Sequence, residues 1–152
     1  MPSSRSAPRS STPAPRPGWL GRSIWAADSR WLADFLPIGK AVCQQLPADV
    51  HAVLSKDPFT IWLVHSTQAV GALGLYVLLQ SRVELAWPLV ARLPQPLRGG
   101  VLAHELAHRY LIYTEPKRWR DEDAVDAVTA EWGFDMQGLR RAAMRATLFT
   151  GS

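Results

Sequence analysis

The sequence predicts an α+β fold, and two observations carry that expectation. Three stretches close together read as strands, at Phe59–His65, Leu75–Leu79 and Arg82–Trp87, the last two being either separate or one bent strand. They are rich in β-branched and aromatic residues, which fit a pleated, half-buried surface. Stretches with helical spacing lie on both sides of them, several residues longer than any of the three.

In chain order, residues 1–18 read as a disordered tail. Pro, Ser and Arg dominate, and almost nothing there can be buried. Trp19 to Pro37 is a lead-in segment with three tryptophans, Trp19, Trp25 and Trp31, and a short helix over Asp28–Phe35. Ile38–Leu54 reads as helical, broken at Pro47 and restarted by Ala48-Asp49-Val50. After the first strand, Gly71–Gly74 marks a turn. In Arg82–Trp87 polar and apolar residues alternate, as in a strand with one wet face. The helix after the strands runs from Leu97 to Tyr113, with Pro94 and Pro96 before it and Pro116 after it. Gly99 and Gly100 in its first turns allow a close neighbour. Leu102, Leu106, Ala107 and Tyr110 form its buried side. Asp121–Trp132 is a further helix opened by acids, which suit a helix N-terminus, and Gly133 is its C-cap. Met136–Leu148 is the last helix, with Arg140, Arg141 and Arg145 on its outer face.

At 152 residues the chain is long enough for one domain with a real core. The longest apolar run, Ala69–Leu79, is too short to span a bilayer, so no membrane partner is expected. No apolar core follows the early arginines, so a secretory signal peptide is not expected. The prolines of the tail argue against an organelle transit helix, which leaves a cytoplasmic location. Arg5, Arg9, Arg16 and Arg22 stand without an acid among them, and the rest of the chain balances thirteen basic against thirteen acidic residues. Nucleic-acid binding is therefore not expected of the domain, only of the tail. Cys43 is the sole cysteine, which excludes a disulfide framework and any Cys-x-x-Cys metal site.

The chemistry lies in His104-Glu105-Leu106-Ala107-His108, the pattern H-E-x-x-H. Histidines four apart on a helix point the same way and can grip one ion, normally Zn2+. Glu105 then sits beside the metal, where it can take a proton from an attacking water. In a chain with 4 histidines, a chance match is expected in roughly 0.3% of shuffled sequences, so the motif carries weight.

A catalytic zinc site takes three protein ligands. His51 and His65 precede the motif and no histidine follows it, so a downstream histidine ligand is excluded. Glu115 lies too near the helix end to fold back. The Asp121–Trp132 helix can cross the first one and present Glu122, Asp123 or Asp126. Glu122 and Asp126 share a face, which suits Glu122 as the third ligand and Asp126 as the acceptor that fixes a ligand histidine's tautomer.

These motifs carry a resemblance. HELAH followed by Glu122-Asp123-Ala124-Val125-Asp126 resembles the gluzincin peptidases, where H-E-x-x-H precedes a pattern close to E-x-x-A-D. Val125 stands where alanine is common. With LPQPLRGGVLAHELAHRYL and the acidic helix ending Ala130-Glu131-Trp132-Gly133-Phe134, the text is similar to small bacterial and phage proteins of the ImmA/IrrE-like group. The likeness covers about Thr60 to Phe134. It implies that 19–152 is a single minimal zincin-like domain, with a small mixed sheet of about three strands packed against the HExxH helix and a second ligand-bearing helix. It implies His104, His108 and Glu122 as zinc ligands, Glu105 as general base and Asp126 as the supporting aspartate.

The expected function is a zinc metallopeptidase that hydrolyses a peptide bond in a protein or peptide substrate, by attack of a zinc-activated water whose proton passes to Glu105. The competing reading is a non-hydrolytic regulatory or binding module of the same fold, of the kind phages carry. A module that only held zinc would not need Glu105. Tyr110, Tyr113, His65 and Arg109 are candidates, by residue type, to steady the oxyanion. The strand Arg82–Trp87 is expected to be the sheet edge along which an extended peptide pairs.

Overall fold

The computed structural model describes residues 23–151, with side chains to 145. The expected tail, 1–18, lies outside the described residues. The described chain is mixed α+β. Its strands are β1 (Ile24–Ala26), β2 (Thr60–Val64), β3 (Gly74–Val77) and β4 (Arg82–Ala86). Its helices are α1 (Ser29–Gln45), α2 (Ala48–Leu54), α3 (Trp87–Val90), α4 (Gln95–Thr114), α5 (Glu122–Glu131) and α6 (Met136–Gly151).

The four strands form one mixed sheet in the order β1-β2-β4-β3. β1, β2 and β4 are parallel, and β3 runs antiparallel beside β4. Two expectations are thereby corrected. The sheet has four strands instead of about three, because the tryptophan-bearing lead-in supplies β1. Arg82–Trp87 is no edge: β4 pairs with β2 on one side and β3 on the other. The edges are β1 and β3, and β3 is the one that packs beside α4.

Ile61 and Leu63 of β2, with Val83 and Leu85 of β4, bury one face of the sheet completely. Against it lies α4, whose Leu102, Leu106 and Leu111 are equally buried. Each such leucine contributes about 2 kcal/mol through apolar area removed from water. Gly99 and Gly100 sit where α1 and α6 come closest. A Cβ at Gly99 would stand 3.1 Å from Val42, and one at Gly100 would stand 3.3 Å from Leu139.

α1 is longer than expected. Asp28 caps it by accepting from the Arg30 N–H at 2.9 Å, and the helix then runs through Pro37 to Gln45. A proline inside a helix removes one hydrogen bond and crowds the preceding turn. Phe35, Gly39, Val42 and Cys43 form a buried stripe on both sides of it, and that burial offsets the cost. Pro47 does end the helix region, as expected, and α2 restarts at Ala48.

β4 also departs from simple alternation. Glu84, expected on a wet face, is buried. Its carboxylate accepts from the Gln68 backbone N–H at 2.9 Å and from Arg82 Nε at 2.9 Å. The pair fastens the 66–73 loop, which leads directly into β3. Among the described residues, no helix is long and apolar enough to cross a membrane.

Candidate metal centre

α4 turns His104, Glu105 and His108 toward one cleft of about 510 Å³. Its walls are β3 with the loop before it, the Trp119–Glu122 segment, and α6. The chain leaves α4 at Thr114, makes a short 3-10 turn at Pro116–Arg118, and enters α5. Asp121 starts α5 by accepting from the backbone N–H of Asp123 (3.0 Å) and Ala124 (3.3 Å). That cap sets Glu122 at the first helical position, over the two histidines.

Glu122 Oε2 lies 3.0 Å from His104 Nε2, and Oε1 lies 3.6 Å from His108 Nε2. The three ligand atoms of His104, His108 and Glu122 all lie within 4.8 Å of one another. Donor atoms on one tetrahedral zinc, each about 2.0 Å from it, are about 3.3 Å apart. The donor set therefore fits such an ion in chemistry and in spacing. Asp123, the other acid at the start of α5, is exposed and stands outside this group.

The tautomer of His108 follows from its other nitrogen. His108 Nδ1 lies 2.6 Å from the Trp119 carbonyl, which can only accept, so Nδ1 carries the proton. The Nε2 lone pair then faces Glu122. His104 Nδ1 is buried without an aligned hydrogen bond, and Asp126 Oδ1 stands 3.1 Å from it. The expected supporting aspartate is thus adjacent to its histidine, though off the hydrogen-bond line. Burial, and then the neighbouring His108, push the His104 pKa below its ordinary value, with Glu122 and Asp126 pulling the other way.

Glu105 is buried at 5% exposure. Burial, and then the charge of Glu122, push its carboxyl up to about 8. Arg140 and the hydrogen bond donated by the Tyr76 backbone N–H pull it down. Gly74 makes room for it: a Cβ there would lie 3.0 Å from both Cγ and Oε2 of Glu105.

Arg140 was expected on the outer face of the last helix. It faces the site instead. Its Nε lies 3.0 Å from Asp126 Oδ2, its Nη2 lies 2.7 Å from Oδ1, and the same Nη2 is 3.8 Å from Glu122. No local pattern in the sequence signals this, because it depends on how α6 crosses α5.

The four expected oxyanion candidates do not line the cleft. Tyr110 packs edge-on against Trp132, and the Tyr113 hydroxyl donates to Asp57. His65 packs against Trp31. Arg109 is buried. It donates to the carbonyls of Leu54 (3.1 Å) and Asp57 and to the Tyr76 hydroxyl (2.9 Å), which ties α4 to the α2–β2 loop and to β3. Among the cleft-lining residues missed from sequence are Trp119, Arg120, Arg140, the apolar Val101, Met136 and Leu139, and β3.

Compared with family models, curated proteins and solved structures, the chain matches none.

Proposed function

We propose that the chain is a small zinc-dependent peptidase of the gluzincin type, built on a minimal zincin-like fold. The observation that carries this reading is the convergence of His104, His108 and Glu122 from two helices, with the buried Glu105 beside them and a free strand edge above.

In this reading His104 and His108 bind zinc through Nε2, and Glu122 through a carboxylate oxygen. Zinc so held supplies Lewis acidity, activating a water and polarising the substrate carbonyl. The Trp119 carbonyl orients the His108 imidazole from behind, and Asp126 stands 3.1 Å behind that of His104. Arg140 holds Asp126 in place through both carboxylate oxygens. Glu105 takes the proton from the attacking water and delivers it to the leaving amine. Burial pushes the Glu105 pKa up in the metal-free chain, and a dication beside it would favour the carboxylate that accepts the proton.

β3 offers the substrate track. Ala86 N–H donates to Leu73 C=O at 2.8 Å, so Leu73 and Ala86 form a hydrogen-bonded pair. The alternation of an antiparallel ladder then turns the backbone groups of Gly74 and Tyr76 away from β4, toward the cleft. The Tyr76 N–H is already given to Glu105. The Gly74 groups and the Tyr76 carbonyl remain for an extended peptide. Val101, Met136 and Leu139 supply an apolar wall for one of its side chains.

The test is cleavage. Zinc-loaded protein incubated with a mixture of synthetic peptides should cut them. Glu105→Gln should keep its zinc and lose at least about a thousandfold in rate. Cleavage that survives Glu105→Gln unchanged overturns the assignment.

A further inference from the structure

The two ends of the cleft differ in chemistry. At the Val101 end the wall is apolar, with Met136 and Leu139. At the His108 end it is Trp119 and Arg120. The Trp119 ring stands edge-on to His108, 6.2 Å between centroids, and the Arg120 guanidinium lies over the Trp119 ring at 4.7 Å. The stacking holds a long cation against the cleft wall at little further entropic cost.

Arg120 differs from the other cleft arginine. Arg140 spends its guanidinium on Asp126. Among the described residues, no carboxylate forms an ion pair with Arg120. The nearest acid in sequence, Asp121, is committed to capping α5. Arg120 is exposed at the cleft, stacked on Trp119 and without an anionic partner among the described residues, so its guanidinium is open to an anion brought by a ligand.

We infer that Arg120 selects substrates carrying a carboxylate on the His108 side of the scissile bond. This rests on the peptidase reading of the same cleft. The substrate presents an apolar side chain at the Val101 end and a carboxylate at the His108 end, with the cut bond between them. The carboxylate belongs to an Asp or Glu side chain or to the substrate's own C-terminus.

The experiment profiles cleavage of a diverse synthetic peptide mixture by the zinc-loaded full chain, reading the cut ends by mass spectrometry. Asp and Glu should be enriched about tenfold on one side of the cut, opposite the apolar residue, in keeping with a charge-assisted contact. Arg120→Glu should bind one equivalent of zinc as before and should invert the preference to Lys and Arg. In the best peptide, replacing Glu by Lys should raise KM about tenfold in the wild-type chain and lower it in the variant. Free-acid and amidated versions of short peptides separate the two sources of the carboxylate. Cuts without acidic enrichment, or an acidic preference that persists in Arg120→Glu, overturn the inference while the peptidase reading stands. If no peptide is cut, the peptidase reading fails. Fluorescence anisotropy of labelled acidic and basic peptides on the same two proteins then decides the inference: equal binding by both proteins overturns it.

Discussion

Glu105→Gln should stabilise the metal-free protein, and increasingly so as the pH rises. The Glu105 pKa stands at about 8 in the folded chain, against an ordinary value of 4.5. Between those two values the folded state holds a proton that the unfolded state releases. Its stability therefore falls as pH rises through that window. The shift corresponds to about 5 kcal/mol once the pH exceeds the folded value. Glutamine keeps the shape and can still accept from Tyr76 N–H, without any charge to bury. Chelator-treated wild-type and variant proteins would be unfolded in urea at intervals from pH 5 to 8.5, followed by tryptophan fluorescence. The two should be nearly equal at pH 5, and the variant should lead by several kcal/mol at pH 8.5. The lowered His104 pKa is present in both proteins, so it largely cancels in the difference. Saturating zinc should shrink the gap, because a dication beside Glu105 favours its carboxylate. A gap that stays constant with pH would refute the reasoning.

Gly74→Ala should leave zinc binding intact and cut peptide hydrolysis at least about tenfold, since a Cβ 3.0 Å from Glu105 forces the carboxyl out of line. Unchanged rates would show that Glu105 tolerates displacement. Asp126→Ala should weaken zinc affinity about 10–100-fold, read by competition with a chromophoric chelator. Arg109→Met should lower stability by about 2–5 kcal/mol in urea unfolding, because two backbone carbonyls and the Tyr76 hydroxyl lose a buried donor. An unshifted midpoint would mean that these contacts contribute nothing.

Much of the candidate site was legible in the sequence, because its parts obey short-range rules. His104 and His108 are one helical turn apart, so their common direction needs no tertiary knowledge. Glu122 follows from an acid-opened helix at a short loop's distance, with Asp126 on the same face. The misses are non-local. β1 is three residues long, too short for any alternation to register. The unbroken α1 depends on the burial of Phe35 and Val42 across Pro37, which overrides the local penalty. The identity of the edge strand is a matter of sheet order. β4 has the alternation of an exposed strand, yet the parallel β2–β4 crossover places it inside and leaves β3 at the rim. Arg109 is expected near the oxyanion by residue type and Arg140 on the outer face of the last helix, and neither lies there. One is buried by carbonyls far away in sequence, and the other is drawn to Asp126 by the crossing of α5 and α6.

Metal analysis of the purified protein tests the central claim most directly. The wild-type chain should bind about one equivalent of zinc. Glu105→Gln should keep it, and His104→Ala and His108→Ala should lose it. A wild-type protein that takes up no zinc at saturating concentration, or one whose zinc survives both histidine substitutions, would contradict the account.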